Sequence, residues 1–359
     1  RSTLFPYTTL FRSPAGKEII IRTIAILLSL LCSGVILLAF RLDPLAIFKA
    51  IAEGALGTDL RVAQTIVKTI PLLITSLGII VAFKMKFWNI GGEGQITMGA
   101  LAATWVALNL SPAMPSVFKL LFMGIAAMIA GGIWAFIPAI FKAKMGTNET
   151  IFTLMMNYIA INFVTYLQYG PWMDKSAGGF PKIAPFPENA VLPSTFGVNI
   201  GWIIALICVA LIYVFMNYTK KGYEITVVGE SLETARYAGM NIKKIIVIAM
   251  FISGGICGLV GMIQAAAIEK TLVAGIANGY GFTAIITAWL SRLNPIAAIF
   301  VCFAFAMLLQ GGAYIQIAMN VPAAVAQIVQ GAVLFFVLGS EFFLQYKVIF
   351  GRSRKVEVA

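Results

Sequence analysis

The sequence has no histidine, only four cysteines and few charges. Without histidine there is no His-ligated zinc, no Ser-His or Cys-His nucleophile pair and no His proton relay. The cysteines (Cys32, Cys208, Cys257 and Cys302) fall inside apolar stretches without CxxC spacing, which marks them as packing residues. Charged residues make up 11% of the chain, against about 25% in a soluble domain. No G-x-x-x-x-G-K-[ST] run is present, so the chain lacks the P-loop for ATP. What is abundant is apolar: 60% of the 359 residues, with a mean hydropathy of +0.93. A chain so composed cannot cover a globule with polar groups and needs lipid as its solvent. The formal net charge is +12. In a soluble protein that excess would suggest nucleic acid; in a membrane protein cations gather at the cytoplasmic ends of spans, and no nucleic-acid partner is expected.

A helical span needs about 20 mostly apolar residues. Ten stretches qualify: 19–40, 64–83, 90–110, 117–141, 150–169, 200–218, 245–267, 272–291, 295–317 and 322–344. The expected fold class is an all-α membrane protein of about ten transmembrane helices, the third and eighth broken or re-entrant. With the N-terminus inside, sixteen Lys and Arg, including Lys84, Lys86, Lys142 and Lys244, lie at cytoplasmic ends and eight, including Arg61 and Lys119, at outer ends. That bias predicts a multi-pass plasma-membrane protein with both termini cytoplasmic. Residues 1–13 (RSTLFPYTTLFRS) read as a translated sequencing adapter, with Pro14 as the first residue of natural origin, and are set apart from fold reasoning.

Two polar segments interrupt the pattern. Residues 170–199, with Pro171, Pro181, Pro185, Pro187 and Pro193, are expected as an ordered or lid-like outer loop. The segment 218–244 is charged, cytoplasmic and longer than a helix hairpin needs. Within it Ser231 as N-cap and Gly239 as terminator predict a short helix.

The densest anomaly is FWNIGGEGQ, 87–95, at the cytoplasmic mouth of the third span. Trp88 suits the interfacial belt, and Gly91, Gly92 and Gly94 disfavour a continuous helix. An unwound stretch at membrane depth is tolerated where it is buried in protein or lines a wet cavity. A carboxylate there is costly, so Glu93 needs a partner: Lys84 or Lys86 in an interfacial ion pair, or water along a solute path. Asn89 and Gln95 flank it. A second interruption, GIANGYG at 275–281, opens the eighth span with Gly279 and Gly281. GEGQITMGALAATW and GYGFTAIITAW run in opposite directions, each with a glycine-broken approach, small residues and then Trp. Such pairs mark inverted repeats in transporters, with the solute route between the halves. Further amides inside spans are Asn157, Asn162, Gln168, Gln264, Gln310, Gln327 and Gln330. Asn157 and Gln264 are the best placed to face a cavity, although such amides commonly join helices instead. The small-residue runs 124–132 and 253–261 fit close helix packing.

Four motifs in order, FWNIGGEGQITMGA (87–100), GTNETIFTLMMNYIA (146–160), GYEITVVGESLETARYAGMNIKK (222–244) and AWLSRLNPIA (288–297), resemble the permease of a nucleoside-type ABC importer. That group lies within the larger set of sugar and branched-chain amino-acid permeases. The resemblance covers the chain after Pro14 and implies a permease domain over 14–346 with a cytoplasmic tail at 347–359. It implies a pore shared with a second, related permease chain, an extracytoplasmic lipoprotein that delivers the solute, and a cytoplasmic ABC ATPase. No cofactor is implied, since the partner binds the ATP, and the chain is not itself an enzyme. Residues 219–244 become the coupling segment, with Gly229, Glu230, Ala235, Arg236 and Gly239 at the ATPase. For a purine nucleoside, Asn89, Glu93, Gln95, Asn157 and Gln264 supply hydrogen bonds and Trp88, Phe87 or Trp289 aromatic faces. The alternatives are the same scaffold importing a simple sugar or riboflavin, an ion-coupled carrier, and a membrane enzyme acting on a lipid-linked substrate. The last two are poorly equipped, because Glu93 is the one acid well inside a span.

Overall fold

The computed structural model describes residues 15–340 except 196, 323, 326, 330, 333, 334, 337 and 338. The adapter-like segment, the tail 347–359, Gln330 and part of the span expected at 322–344 lie outside the described residues. In chain order the helices are α1 (Ala15–Ala39), α2 (Pro44–Leu56), α3 (Asp59–Lys84), α4 (Gly92–Asn109), α5 (Ser116–Met145) and α6 (Glu149–Tyr169). They continue with α7 (Gly201–Tyr218), α8 (Lys220–Glu230), α9 (Leu232–Tyr237), α10 (Ile242–Ile263), α11 (Tyr280–Leu290) and α12 (Pro295–Ala318). A π-helical turn (Gln264–Glu269) extends α10. Strands β1 (Ser194–Thr195) and β2 (Val198–Asn199) pair antiparallel, with Ser194 opposite Asn199.

The helices begin where short polar side chains can satisfy orphan N–H groups. Thr58 accepts from Arg61 N at α3, Asn148 from Thr150 N and Ile151 N at α6, and Asn241 from Lys244 N at α10. Between the caps the side chains are apolar on nearly every face, as lipid-embedded helices require.

Among the described residues, six helices are long and apolar enough to cross a membrane: α3, α5, α6, α7, α10 with its π turn, and α12. A seventh span is available if residues 23–39 and α2, bent by 118°, count as one. The ten expected spans are thus not all present as independent crossings among the described residues. α4 has the length, but its first four residues are Gly92, Glu93, Gly94 and Gln95. α11 has only 11 residues, because the chain from Thr271 to Gly279 is turn and irregular backbone. That part of the eighth stretch is broken as expected. α2 was not anticipated, since its 13 residues fall short of a span; Lys49 and Glu53 pair on its surface at 3.7 Å.

The described residues form two compact units, 15–54 with the described part of 311–340, and 55–310. In the first, Leu37, Ile47, Ile315, Val321, Val325 and Val329 make a buried cluster joined by Leu42 and Phe48. Gly54 faces Tyr314 there with no room for a Cβ.

In the second unit α3 and α10 are central: 83% of the most apolar stretch of α3 is buried, against 28% for α5 and for α7. α10 packs on α3, α4 and α5, and α11 on α3. The small-residue runs explain how α4, α5 and α10 come so close. A Cβ on Gly99 would overlap the Gly258 carbonyl, and one on Gly131 would strike Gly254 and Gly258. In lipid, such backbone proximity replaces the hydrophobic drive that water supplies elsewhere.

The loop 170–199 is ordered over one end of the bundle. Phe186 N donates to Lys270 O at 2.8 Å and Leu192 N to Ala266 O at 3.0 Å. Gln168 bridges it to the broken segment, donating to Pro181 O and accepting from Ala274 N. Lys119, fully covered, donates to Asn189 Oδ1 and Leu110 O, while Asn189 reaches Pro112 O and Met114 O.

Candidate functional site

The glycine-broken mouth at 85–95 owes its shape to a closed set of amide bonds. Asn89 Oδ1 accepts from Gly91 N at 3.0 Å and from Gln95 Nε2 at 2.9 Å. Asn89 Nδ2 donates to Gln95 Oε1 and, on α10, to Ser253 Oγ. From α6, Asn157 Oδ1 accepts from Gly94 N and Asn157 Nδ2 donates to Ile90 O, both at 2.8 Å. Thr153 Oγ1 accepts from Ile90 N. Non-helical backbone is thereby satisfied without water. Asn89, Gln95 and Asn157 are all buried and serve this scaffold.

The three glycines act differently from expectation. Gly91 precedes the helix, and Gly92 and Gly94 lie in its unbroken first turn. What they permit is contact: a Cβ on Gly92 would lie 3.1 Å from Gly281 Cα, and one on Gly94 3.0 Å from Asn157 Cα. The mouths of α4 and α11, compared above by sequence alone, meet here.

Glu93 sits at that meeting point, 4% exposed. Neither Lys84 nor Lys86 pairs with it among the described residues; Lys142 pairs with Glu149 instead, at 2.7 Å. Glu93 Oε1 accepts from Gly281 N at 2.7 Å, and the N–H groups of Gly279 and Phe282 also face the carboxylate. The acid is met by a helix N-terminus, which offers both donors and a positive dipole end. Gln264, in the π turn, hydrogen-bonds the Tyr280 hydroxyl beside it.

At its other end α11 meets α3. Ser76 Oγ and Thr287 Oγ1 are 2.6 Å apart, with Cys302 Sγ 3.4 Å from Ser76 Oγ. Phe83, Trp88 and Trp289 form a ring cluster with centroids 5.3, 5.6 and 5.7 Å apart. Trp88 is 46% exposed, so of the six residues suggested for the solute path it alone presents a large open face. Ser76 and Thr287 were missed because isolated hydroxyls in apolar runs carry no spacing signal, and Phe83 likewise gave no signal in the sequence.

The segment after α7 folds as two short helices. Ser231 Oγ accepts from Thr234 N at 3.2 Å and Gly239, at φ +69°, closes α9, as the sequence predicts. Of the five coupling candidates, Gly229 and Ala235 are buried while Glu230, Arg236 and Gly239 are exposed. Gly229 is pressed onto the Lys84 carbonyl, where no Cβ fits, so α8 rests on the end of α3. Leu232 and Tyr237 (94% exposed) project outward. Between α8–α9 and the mouth of α4 lies a cleft of about 380 Å³ lined by Lys86, Phe87, Lys142, Glu149, Glu230 and Glu233, among others.

The family described as branched-chain amino acid transport system, permease component, matches residues 61–338. Among similar proteins, a glucose ABC transporter permease protein of Haloferax volcanii is 35% identical over 338 residues, 90% of this chain and 88% of that one. A guanosine ABC transporter permease protein of Bacillus subtilis is 31% identical over 333 residues, 90% of this chain and 94% of its own. A nucleoside ABC transporter permease protein of Lactococcus lactis is 30% identical over 332 residues, 89% and 91% of the two chains. A bundle of apolar helices, matched over most of its length by permeases of one kind, has a single assignment: the chain belongs to the branched-chain amino acid transport system permease family of ABC importers.

Proposed function

We propose that the chain is a pore-forming subunit that imports a nucleoside, a purine nucleoside first, across a bacterial plasma membrane by alternating access. The observation that carries this reading is the near-full-length likeness to two permeases named for guanosine and for nucleoside transport. A nucleoside offers a flat base and a hydroxyl-bearing ribose. The open face of Trp88, backed by Phe83 and Trp289, suits base stacking. Asn89, Glu93, Gln95, Asn157 and Gln264 act in this reading as the shaped wall of the route, since their polar atoms are engaged by the chain itself. The two glycine-broken mouths are then counterparts in inverted repeats, with α4, α11 and the apolar stretch 322–344 bringing the segments to ten and both termini cytoplasmic.

A cytoplasmic ABC ATPase docks on α8–α9, where Glu230, Arg236, Leu232, Tyr237 and Gly239 face outward and buried Gly229 and Ala235 hold the shape. A second permease chain completes the pore, and an extracytoplasmic lipoprotein delivers the solute to the end covered by 170–199. ATP belongs to the partner. Family membership weighs against the ion-coupled carrier and the lipid-handling enzyme.

A simple sugar is the second reading, favoured by the 35% identity to the glucose permease. Riboflavin rests on a weaker likeness, 25% over 287 residues to a probable riboflavin import permease protein of Treponema pallidum. The test is uptake of labelled guanosine by cells carrying the complete transporter, with and without this subunit. ATP-dependent uptake that vanishes without the subunit, and that excess guanosine but not glucose suppresses, supports the nucleoside. Absence of guanosine uptake together with subunit-dependent, ATP-dependent uptake of labelled glucose supports the sugar, and uptake of both that is indifferent to the subunit rejects both.

A further inference from the structure

Alternating access needs an element that moves, and the contacts that hold α11, chiefly on α3 and α4, can be named. Its 11 residues span about 16 Å, half the thickness of a bilayer core. Its N-cap, Gly279, has a left-handed backbone at φ +78° and no side chain to offer the orphan N–H groups. That task passes to Glu93, 188 positions away in sequence, whose carboxylate takes the Gly281 N–H at 2.7 Å. Glu93 stands in the first turn of α4. The positive ends of two helix dipoles therefore converge on one carboxylate. Bare backbone meets bare backbone beside it, at Gly92 and Gly281.

The chain leading into α11 carries two left-handed residues that are not glycine, Lys270 at φ +52° and Asn278 at φ +49°. A π turn precedes the first of them. Such backbone persists only where its surroundings hold it, and it gathers in segments that change shape. The far end of α11 is attached to α3 through Ser76 and Thr287. The α8 helix presses on α3 at Lys84, so a push at α8–α9 reaches the mouth of α4 through packed backbone.

We propose that α11 is the gate helix of the permease and that Glu93 is its latch. The carboxylate holds α11 against α4 in this conformation, and its release lets α11 swing about Lys270 and the Asn278–Gly279 pair. Glu93 is then a positioning residue that acts through α11 and does not touch the solute. Its charge matters as well as its oxygen: glutamine can accept the same hydrogen bond but cannot balance two dipole ends. The inference rests on the importer reading and is independent of which solute is carried.

The experiment uses the whole complex, with ATPase and binding protein, in proteoliposomes. Gly275, which is exposed and has open space where a Cβ would stand, is changed to Cys (G275C) and labelled with a membrane-impermeant maleimide, after subtraction of labelling in the parent chain. No solute is needed. The expected labelling rate differs about tenfold between nucleotide-free and vanadate-trapped complexes, the worth of one charge-assisted hydrogen bond. Glu93→Gln should remove that difference by making labelling fast in both states, and Glu93→Asp should restore part of it. A parental difference that survives Glu93→Gln, or the absence of any difference in the parent, overturns the latch. Should Glu93→Gln fail to assemble, S76C with T287C, in a Cys302→Ser background, decides the matter. The two hydroxyls lie 2.6 Å apart, so thiols there are within disulfide reach. Oxidation should stop ATP-driven uptake and reductant restore it; unchanged uptake with the disulfide formed overturns the gate. State-dependent labelling without nucleoside uptake by the parent would reject the proposed solute and leave the latch standing.

Discussion

The mouth of α4 and the α8–α9 segment are both polar interruptions of an apolar chain, yet they dispose of their polar groups in opposite ways. At 89–95 the amides of Asn89, Gln95 and Asn157 and the carboxylate of Glu93 bond inward, to backbone or to one another. At 220–239 the caps are satisfied locally, Lys221 pairs with Glu224, and other groups, including Tyr237 and Arg236, face outward. The difference follows from solvent. At membrane depth an unbonded polar group costs several kcal/mol on the order of its full desolvation, whereas beyond the lipid water satisfies it until a partner arrives. Polarity in the first region builds the fold; in the second it is free to build an interface.

Substitutions separate the two. The largest effect is expected at the glycine contacts of the inner region. Gly99→Val, which would drive a side chain into the Gly258 carbonyl, should cost about 3 kcal/mol or more and remove the folded permease. Thermal denaturation in detergent measures this, and a parental melting point would break the contrast. Next comes Gly239→Pro, at a φ of +69° that proline cannot adopt and an N–H that bonds Arg236 O. It should abolish co-purification of the ATPase while membrane insertion stays normal. Tyr237→Ala, on the same surface, should weaken that association by about tenfold or more without changing thermal stability.

Asn157→Ala is expected to be milder than the glycine change. It leaves the Gly94 N–H and the Ile90 carbonyl without their side-chain partner, for a loss of about 1–3 kcal/mol. A thermal shift of that size, with ATPase binding retained, would sharpen the division between the regions. The smallest effect belongs to Lys49→Met. Its ion pair with Glu53 lies on an exposed helix surface, so the change should fall within about 0.5 kcal/mol and leave the melting point in place.

How much of this was legible in the chain depends on whether the signal was local. Capping at Ser231 and termination at Gly239 were readable because both act within four residues. The glycine-rich mouths at 91–94 and 279–281 announced themselves by composition, and so did the ordered proline-rich loop. The fate of Glu93 did not, since its partner is 188 positions away and is a backbone N–H, which leaves no mark in sequence. The same holds for Ser76 with Thr287 and for the seat of Gly229 on Lys84. Helix α2 was missed because its 13 residues are too few for the length that marks a span.

Composition alone determined that the chain needs lipid as its solvent and has no histidine chemistry, because these depend on residue types and not on placement. The periodic apolar stretches determined where helices run. Only the tertiary structure decided what the glycines are for, which acid meets which helix end, and which of the polar residues turn inward. Those outcomes depend on distances between segments far apart in sequence, and in lipid a polar group's meaning is set by the neighbour that satisfies it.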